Sequence, residues 1–496
     1  MQIIICPNEI IGTRDFMIYG HFIEHFHRQI YGGVFDPGNS LSDEQGFRMD
    51  VMEVMRKIKT PIMRWPGGCF VSSYHWKDGV GRERKPTFDK SWRVEEPNSF
   101  GTDEFVALCR KIDCEPYICT NAGTGTSEEM SDWVEYCNLQ TEGVYAKMRS
   151  GNGSVEPHNV KYWSIGNENY GHWELGAKSS KEWARFVLES AKMMLRVDPS
   201  IELSAAALVD INWNLDLLQS CAQHLDWISI HGYWDMIHQD NNYANYTETV
   251  AYTADLEEPV RKVRGLLMAL GLEKRIKIAF DEWNLRGWYH PNIHNLSRTV
   301  SKEEYLYPRD ENDDNTRYTM ADAVFSACFL NMCLRNCDIV GMANFAPIIN
   351  TRGCIFTYPD GIVLRSTYYV FDMFVNLLGD IVLDAKVRPS EYINVKNKKG
   401  DTIRVDALDV VVTSFSDRPG MSISVVNKDT AAHPLKFDCT AQAYRIHSLN
   451  GDSPDSYNDI GHNGVTVDVG DWIEAGKSNE VELPPHSVNI IEITQL

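Results

Sequence analysis

From residue 16 to about 380 the chain alternates short apolar runs with longer stretches of helical periodicity. The apolar runs are Met17–Glu24, Ile62–Trp65, Pro116–Asn121, Tyr162–Asn167, Glu202–Ala206, Trp227–His231, Lys277–Glu282 and Val340–Phe345, each of strand length. Between them, GFRMDVMEVMRKIK (46–59), GTDEFVALCRKID (101–113) and SKEWARFVLESAKMMLRVD (180–198) carry apolar residues three and four apart, the spacing of one buried helix face. Thr102 before DEF and Ser127 before EEMSDWVEYCN have the composition of helix starts, with acids in the first turn. Eight strand and helix pairs predict a closed (β/α)8 TIM barrel, whose strand ends converge on one face.

Beyond residue 380 the period changes to two. DALDVVVTSF (406–415), MSISVVNK (421–428) and SVNIIEITQL (487–496) alternate apolar and polar positions between Gly, Pro, Asn and Asp, as a jelly-roll-like all-β sandwich does. The opening QIIICPNEIIGTR also reads as a strand and turn. The division expected is therefore an N-terminal strand (1–15) joining the sandwich, a catalytic barrel (16–380) and a C-terminal β-sandwich (381–496). Two connections, 32–45 and 286–317, exceed ordinary barrel loops; both follow strands and would wall a pocket at the C-terminal face.

Composition narrows the class. Of the 496 residues 43% are hydrophobic and 24% charged, a globular balance, and 48 Lys and Arg against 69 Asp and Glu leave a net charge of −21. That charge repels nucleic acid and anionic membrane surfaces, so neither is an expected partner and a neutral substrate is. MQIIICPNEI lacks the basic region and apolar length of a signal peptide, and no later run approaches the roughly 20 residues of a membrane span; a cytoplasmic protein is expected. The 12 cysteines are scattered through strands and helices, as buried thiols of a reducing compartment are. Cys333 and Cys337 share a predicted helix face, but no further Cys pair or His accompanies them, and His21, His25, His27, His231 and His290 form no HExxH pattern. No metal and no cofactor are expected.

Two acids stand apart. Glu168 ends YWSIGNE and Glu282 ends IAFDE, on the fourth and seventh predicted strands. Barrel geometry lets two such carboxylates face each other across one sugar bond, which is sufficient for glycoside hydrolysis. Either glutamate alone is as readily a rim ion pair; together, at strand ends, they favour chemistry.

These two motifs, with YGHFIEHF (19–26), RWPGGCF (64–70), YHWKDGVG (74–81), ISIHGYW (228–234) and DEWN (281–284), occur in one order over nearly the whole chain. In this the chain resembles the retaining α-L-arabinofuranosidases of glycoside hydrolase family 51. The resemblance implies Glu168 as acid and base, with a raised pKa, and Glu282 as an ionised nucleophile. It implies Asn167 on the sugar 2-hydroxyl, Tyr233 on the nucleophile, Glu24 on hydroxyls of the terminal sugar and Arg64 as a tether. Cys69, His231, Trp283 and Asn344 complete the implied substrate-binding set. Two of these depart from the family pattern: Cys69 replaces an Asn common after RxPGG, and Asn344 stands where relatives carry Gln on strand eight. Trp76, Trp173 and Trp288 are further candidates for stacking on sugar. The substrate implied is an arabinofuranose-containing oligosaccharide derived from arabinan or arabinoxylan, cleaved from its end, by a homo-oligomer, often a hexamer. Another retaining activity on the same scaffold (β-xylosidase, galactofuranosidase or endo-β-1,4-glucanase) stays open, as does a non-catalytic sugar-binding protein.

Overall fold

The computed structural model describes residues 1–237, 242–288, 313–437, 442–476 and 479–494. An N-terminal strand β1 (Gln2–Thr13) precedes eight parallel strands: β2 (Gly20–Phe22), β3 (Ile62–Trp65), β4 (Glu115–Thr120), β5 (Tyr162–Ile165), β6 (Glu202–Ala206), β7 (Trp227–Ile237), β8 (Lys277–Trp288) and β9 (Val340–Phe345). They close in the order β8-β9-β2-β3-β4-β5-β6-β7. Ile62, Tyr117, Tyr162, Trp227, Ala279 and Met342, one from each of six strands, plug one end of this barrel.

Some elements depart from their sequence pattern for local reasons. β2 is only three residues long, because Phe16–Tyr19 form a 3-10 turn capped by Asp15. β5 ends at Ile165, since Gly166 turns the chain at φ 71°. The helix Ser127–Asn138 is capped one residue earlier than expected, by Thr126, whose hydroxyl accepts from Glu129 N at 3.1 Å. Cys337 lies beyond the helix that holds Cys333, which ends at Arg335. Of the long connection 286–317, the first three residues extend β8, and residues 289–312, with His290 and the side chain of Trp288, lie outside the described residues.

Helix α1 (Ser180–Val197) shows how the surrounding layer forms. Ser179 and Glu182 make reciprocal capping bonds, and Trp183, Ala184, Val187, Ala191 and Met194 bury one stripe. Helix α2 (Met320–Arg335) has no polar face; every residue from Met320 to Leu334 is buried, because strands of the C-terminal domain cover the side that the barrel leaves open. β1 pairs antiparallel with Ile381–Arg388 and parallel with His433–Phe437, inside a ten-stranded sheet. Ile3 of β1 joins Leu383, Val412, Ile423, Leu435, Phe437 and Ile491 in one core, so the sheet folds over on itself as a sandwich.

The junction is fastened by charge. Arg335 at the end of α2 donates to Asp409 Oδ1 at 2.8 Å and Oδ2 at 3.2 Å, and Asn331 adds a bond at 2.8 Å. Burial alone would raise the Asp409 pKa; Arg335 and Lys428 outweigh it and hold it below the usual carboxylate range. Asp409→Ala is expected to cost about 2 kcal/mol, read as a lower urea midpoint. An unchanged midpoint would remove this pair from the junction.

Candidate active site

The charged layer above the plug is organised by β8. Register shifts between Phe280 and Glu282 against β7, so Asp281 is an extra residue in the strand and a bulge forms there. Two successive carboxylates consequently face inward. Asp281 accepts from Tyr117 Oη at 2.8 Å, while Glu282 Oε1 accepts from Arg64 Nη1 at 2.7 Å and Oε2 from Tyr233 Oη at 2.7 Å.

Alternation then resumes and turns Trp283 outward. It is fully buried in the barrel's outer layer, stacked on Phe329 with centroids 3.9 Å apart. The expectation that Trp283 lines a sugar site is therefore corrected. Asn344 is corrected likewise: it is fully buried against Gly20, and its Oδ1, with Ile62 of the plug, fills the space a Gly20 side chain would need. That position lies below the pocket, within the barrel interior.

Glu168 reaches the site by a turn rather than from a strand. Its backbone sits at φ 46°, a left-handed conformation costing a non-glycine residue on the order of 1–3 kcal/mol. The amide of Asn169 bonds the Asn167 N–H at 3.1 Å and Gly171 N bonds Glu168 O at 2.6 Å, so neighbouring turns hold the conformation. Glu168 Oε2 accepts from Trp173 Nε1 at 2.8 Å and Oε1 from Tyr170 Oη at 3.2 Å.

His231 spans the two carboxylates. Its Nδ1 lies 2.9 Å from Glu168 Oε1 and 3.7 Å from Glu282 Oε2, so those oxygens are at most about 6.6 Å apart. Burial disfavours charge on His231, but Glu282 and Glu168 outweigh it and raise its pKa. For Glu282 burial is likewise the largest single influence; the charges of His231 and Arg64 and the Tyr233 bond override it, leaving its pKa below the usual value.

Arg64 is fully buried and shared. Besides Glu282 it bonds Asn167 Oδ1 at 2.9 Å and Cys119 Sγ at 3.3 Å, and its Nε lies 3.7 Å from Asp281. The Asn167 amide nitrogen faces the other way, to Glu174 Oε2 at 3.3 Å. Glu174 is nearly fully buried, and Cys69 Sγ with oxygens of Glu168 and Glu174 lie within 4.8 Å of one another. Burial, then Glu168, pushes the Glu174 pKa to about 8. The Cys69 thiol is also raised, by burial and by Glu174, Glu168 and Glu24, so it stays protonated.

Glu24 completes the opposite wall. Oε1 accepts from Phe70 N at 3.0 Å and Trp92 Nε1 at 2.9 Å, and burial plus Glu282 raises its pKa to about 8. The two glycines of RWPGG are dictated by this wall. A side chain on Gly67, at φ 130°, would meet Glu24 Cγ at 2.3 Å, and one on Gly68 would sit 3.1 Å from Glu282 Oε1.

Glu24, Arg64, Cys69, Asn167, Glu168, His231, Tyr233 and Glu282 are thus brought together, with Trp173. Trp92, Tyr170, Glu174 and Asp281 are additions that the structure makes; of these Tyr170 and Glu174 lie near Glu168 in the GNEN run and Asp281 adjoins Glu282 in DEWN, while Trp92 has no such signal. Trp76 stacks on Trp133 in the core. His21, His25 and His27 engage Phe371, Glu96 and Asp313 separately and do not converge.

An eight-stranded barrel presenting two carboxylates around a bridging imidazole invites comparison with known proteins. An α-L-arabinofuranosidase 1 domain model matches residues 54–251, and an α-L-arabinofuranosidase C-terminal domain model matches 281–487. The intracellular exo-α-(1→5)-L-arabinofuranosidase of Halalkalibacterium halodurans is 33% identical over 88% of this chain and 86% of its own. The α-L-arabinofuranosidase C of Emericella nidulans is 32% identical over 98% and 96%. Among solved structures, the α-L-arabinofuranosidase of Thermotoga maritima in its arabinose complex superposes with a TM-score of 0.88 at 35% identity, covering 99% of both chains. The chain belongs to the family 51 α-L-arabinofuranosidases.

Proposed function

We propose that this α-L-arabinofuranosidase releases terminal arabinofuranose with retention of configuration, Glu282 acting as nucleophile and Glu168 as acid and base. The observation that carries this reading is the His231 bridge. The two oxygens flanking His231 are at most about 6.6 Å apart, which accommodates the roughly 5–5.5 Å of a retaining pair.

Glu282, held ionised by Arg64, His231 and Tyr233, attacks the anomeric carbon while Glu168 passes its proton to the glycosidic oxygen, and the alcohol departs. The ionised Glu168 then takes a proton from water, which attacks the same carbon and frees Glu282. Trp173, Tyr170 and His231 supply hydrogen bonds for the carboxylate that Glu168 becomes. Asn167, clamped between Arg64 and Glu174, would bond the sugar 2-hydroxyl. Glu24 is neutral near pH 7, with Oε1 occupied by two N–H groups; its other oxygen can therefore donate to a sugar hydroxyl as well as accept.

The relatives' names point to α-(1→5)-linked arabino-oligosaccharides as substrate. Among the described residues no helix is long and apolar enough to cross a membrane. A cytoplasmic homo-oligomer, hexameric by family resemblance, acting on such oligosaccharides is the setting we propose; light scattering showing a monomer would discard the assembly.

Glu168→Gln is expected to lower kcat by about a hundred- to ten-thousand-fold on oligosaccharides, and Glu282→Gln by at least as much. Undiminished hydrolysis by either variant would strip that residue of its role. NMR of the first product from 4-nitrophenyl α-L-arabinofuranoside should show the retained anomer, and little turnover of this substrate beside good turnover of a pyranoside would overturn the sugar assignment.

Glu24 and Glu174 also set a pH dependence of stability. Each carboxyl is raised from 4.5 to about 8 in the fold, so its contribution is complete below pH 4.5 and is lost as pH rises through 8. Relative to the parent, Glu174→Gln should therefore gain in Tm between pH 5 and pH 9, by about 2 °C or more. A difference that does not change with pH would contradict the neutral state of Glu174.

A further inference from the structure

Arg352 lies on the segment that follows β9, and that segment is strained. Asn350 and Thr351, adjacent non-glycine residues, stand at φ 52° and 43°. Their backbone is fastened on several sides. Asn350 Nδ2 bonds Arg28 O at 2.6 Å, Thr351 N bonds Asp313 Oδ1 at 2.8 Å, Arg365 bonds Thr351 O at 2.6 Å, and Asn284 bonds Arg352 O at 3.2 Å. What this bracing presents is a guanidinium without a counterion among the described residues.

Its Nε and Nη1 are enclosed and make no hydrogen bond. The neighbouring arginines are all engaged: Arg286 with Asp322 at 2.8 Å and Asp235 at 3.3 Å, Arg317 with Asp314 at 3.3 Å, and Arg365 with Asn315 at 2.7 Å. Arg352 instead lies over the ring of Tyr233, 5.8 Å from its centroid, and the hydroxyl of that tyrosine bonds the nucleophile. Arg352 as a whole is partly exposed, so the cost lies in these two enclosed nitrogens, whose donors stay unsatisfied unless an anion or strong acceptor reaches them.

Among the described residues none of the pocket carboxyls Glu24, Glu168, Glu174 and Glu282 bonds the enclosed nitrogens of Arg352, and a neutral arabinofuranosyl ring brings them no charged acceptor. A planar guanidinium matches a carboxylate in shape and charge, and binds it through paired N–H donors. We propose that Arg352 forms a subsite for a carboxylate carried by the substrate beyond the scissile bond, so that arabinofuranosides attached to a uronic acid are favoured. The inference rests on the arabinofuranosidase reading above and extends it to the sugar that is left behind.

The test compares one arabinofuranosyl oligosaccharide containing a uronic acid with its carboxyl-reduced, neutral counterpart, using 4-nitrophenyl α-L-arabinofuranoside as reference. In the full-length enzyme at low salt kcat/KM should favour the acid form by about tenfold, and the preference should shrink as salt is raised. Arg352→Gln should bring the ratio near one, and Arg352→Lys, which keeps charge but loses the fork, should fall between. Equal rates for the acid and reduced forms in the parent, or a preference that survives in Arg352→Gln, would overturn the subsite. With normal turnover of the nitrophenyl reference, either failure concerns Arg352 alone; absence of that turnover would instead defeat the arabinofuranosidase reading.

Discussion

The buried pair of Arg64 and Glu282 is the constraint around which the site is arranged. A fully enclosed guanidinium needs its charge and donors met, and here Glu282, Asn167 and the Cys119 sulfur accept from its two terminal nitrogens, while Nε makes no hydrogen bond and lies 3.7 Å from Asp281. One cation thereby fixes the charge of Glu282 and the amide orientation of Asn167, the residue next to Glu168. The two glutamates are thus tied together through β3, which neither of them occupies.

The remaining acids show the opposite solution to the same problem. Glu24 and Glu174 have no ion-pair partner among the described residues, and burial drives them to the neutral form instead. The pocket accordingly concentrates four carboxyl groups without four negative charges. Glu282 takes the available positive charge from Arg64 and His231, and its two neutral neighbours serve as hydrogen-bonding groups of fixed position.

Much of this was legible in the sequence where it depends on local pattern. The eight strands follow from apolar runs that must be buried on both faces, and Glu168 and Glu282 follow from where those runs end. What failed was side-chain direction. The expectation for Trp283 rests on its lying beside the strand-end loops, and that for Asn344 on the family resemblance, in which relatives carry Gln at this position of strand eight. The bulge at Asp281 sets the inward and outward phase of β8, and the depth of Asn344 depends on the stagger between β9 and β2. Both arise from pairing with distant strands, which no window of residues contains. Trp92 and Glu174 were missed for a related reason: each arrives on an irregular segment that carries no periodicity to read.

The left-handed backbone at Glu168 sets stability against chemistry at one position. Glycine or asparagine would adopt that conformation with less strain, yet neither has a carboxyl to carry the proton that the proposed mechanism assigns to Glu168. On the proposed roles, selection for thermal robustness alone would thus drift this residue away from glutamate, toward a protein that still binds arabinofuranosides and no longer cleaves them. A stabilising substitution found at residue 168 would be the mark of a binding protein emerging from the enzyme.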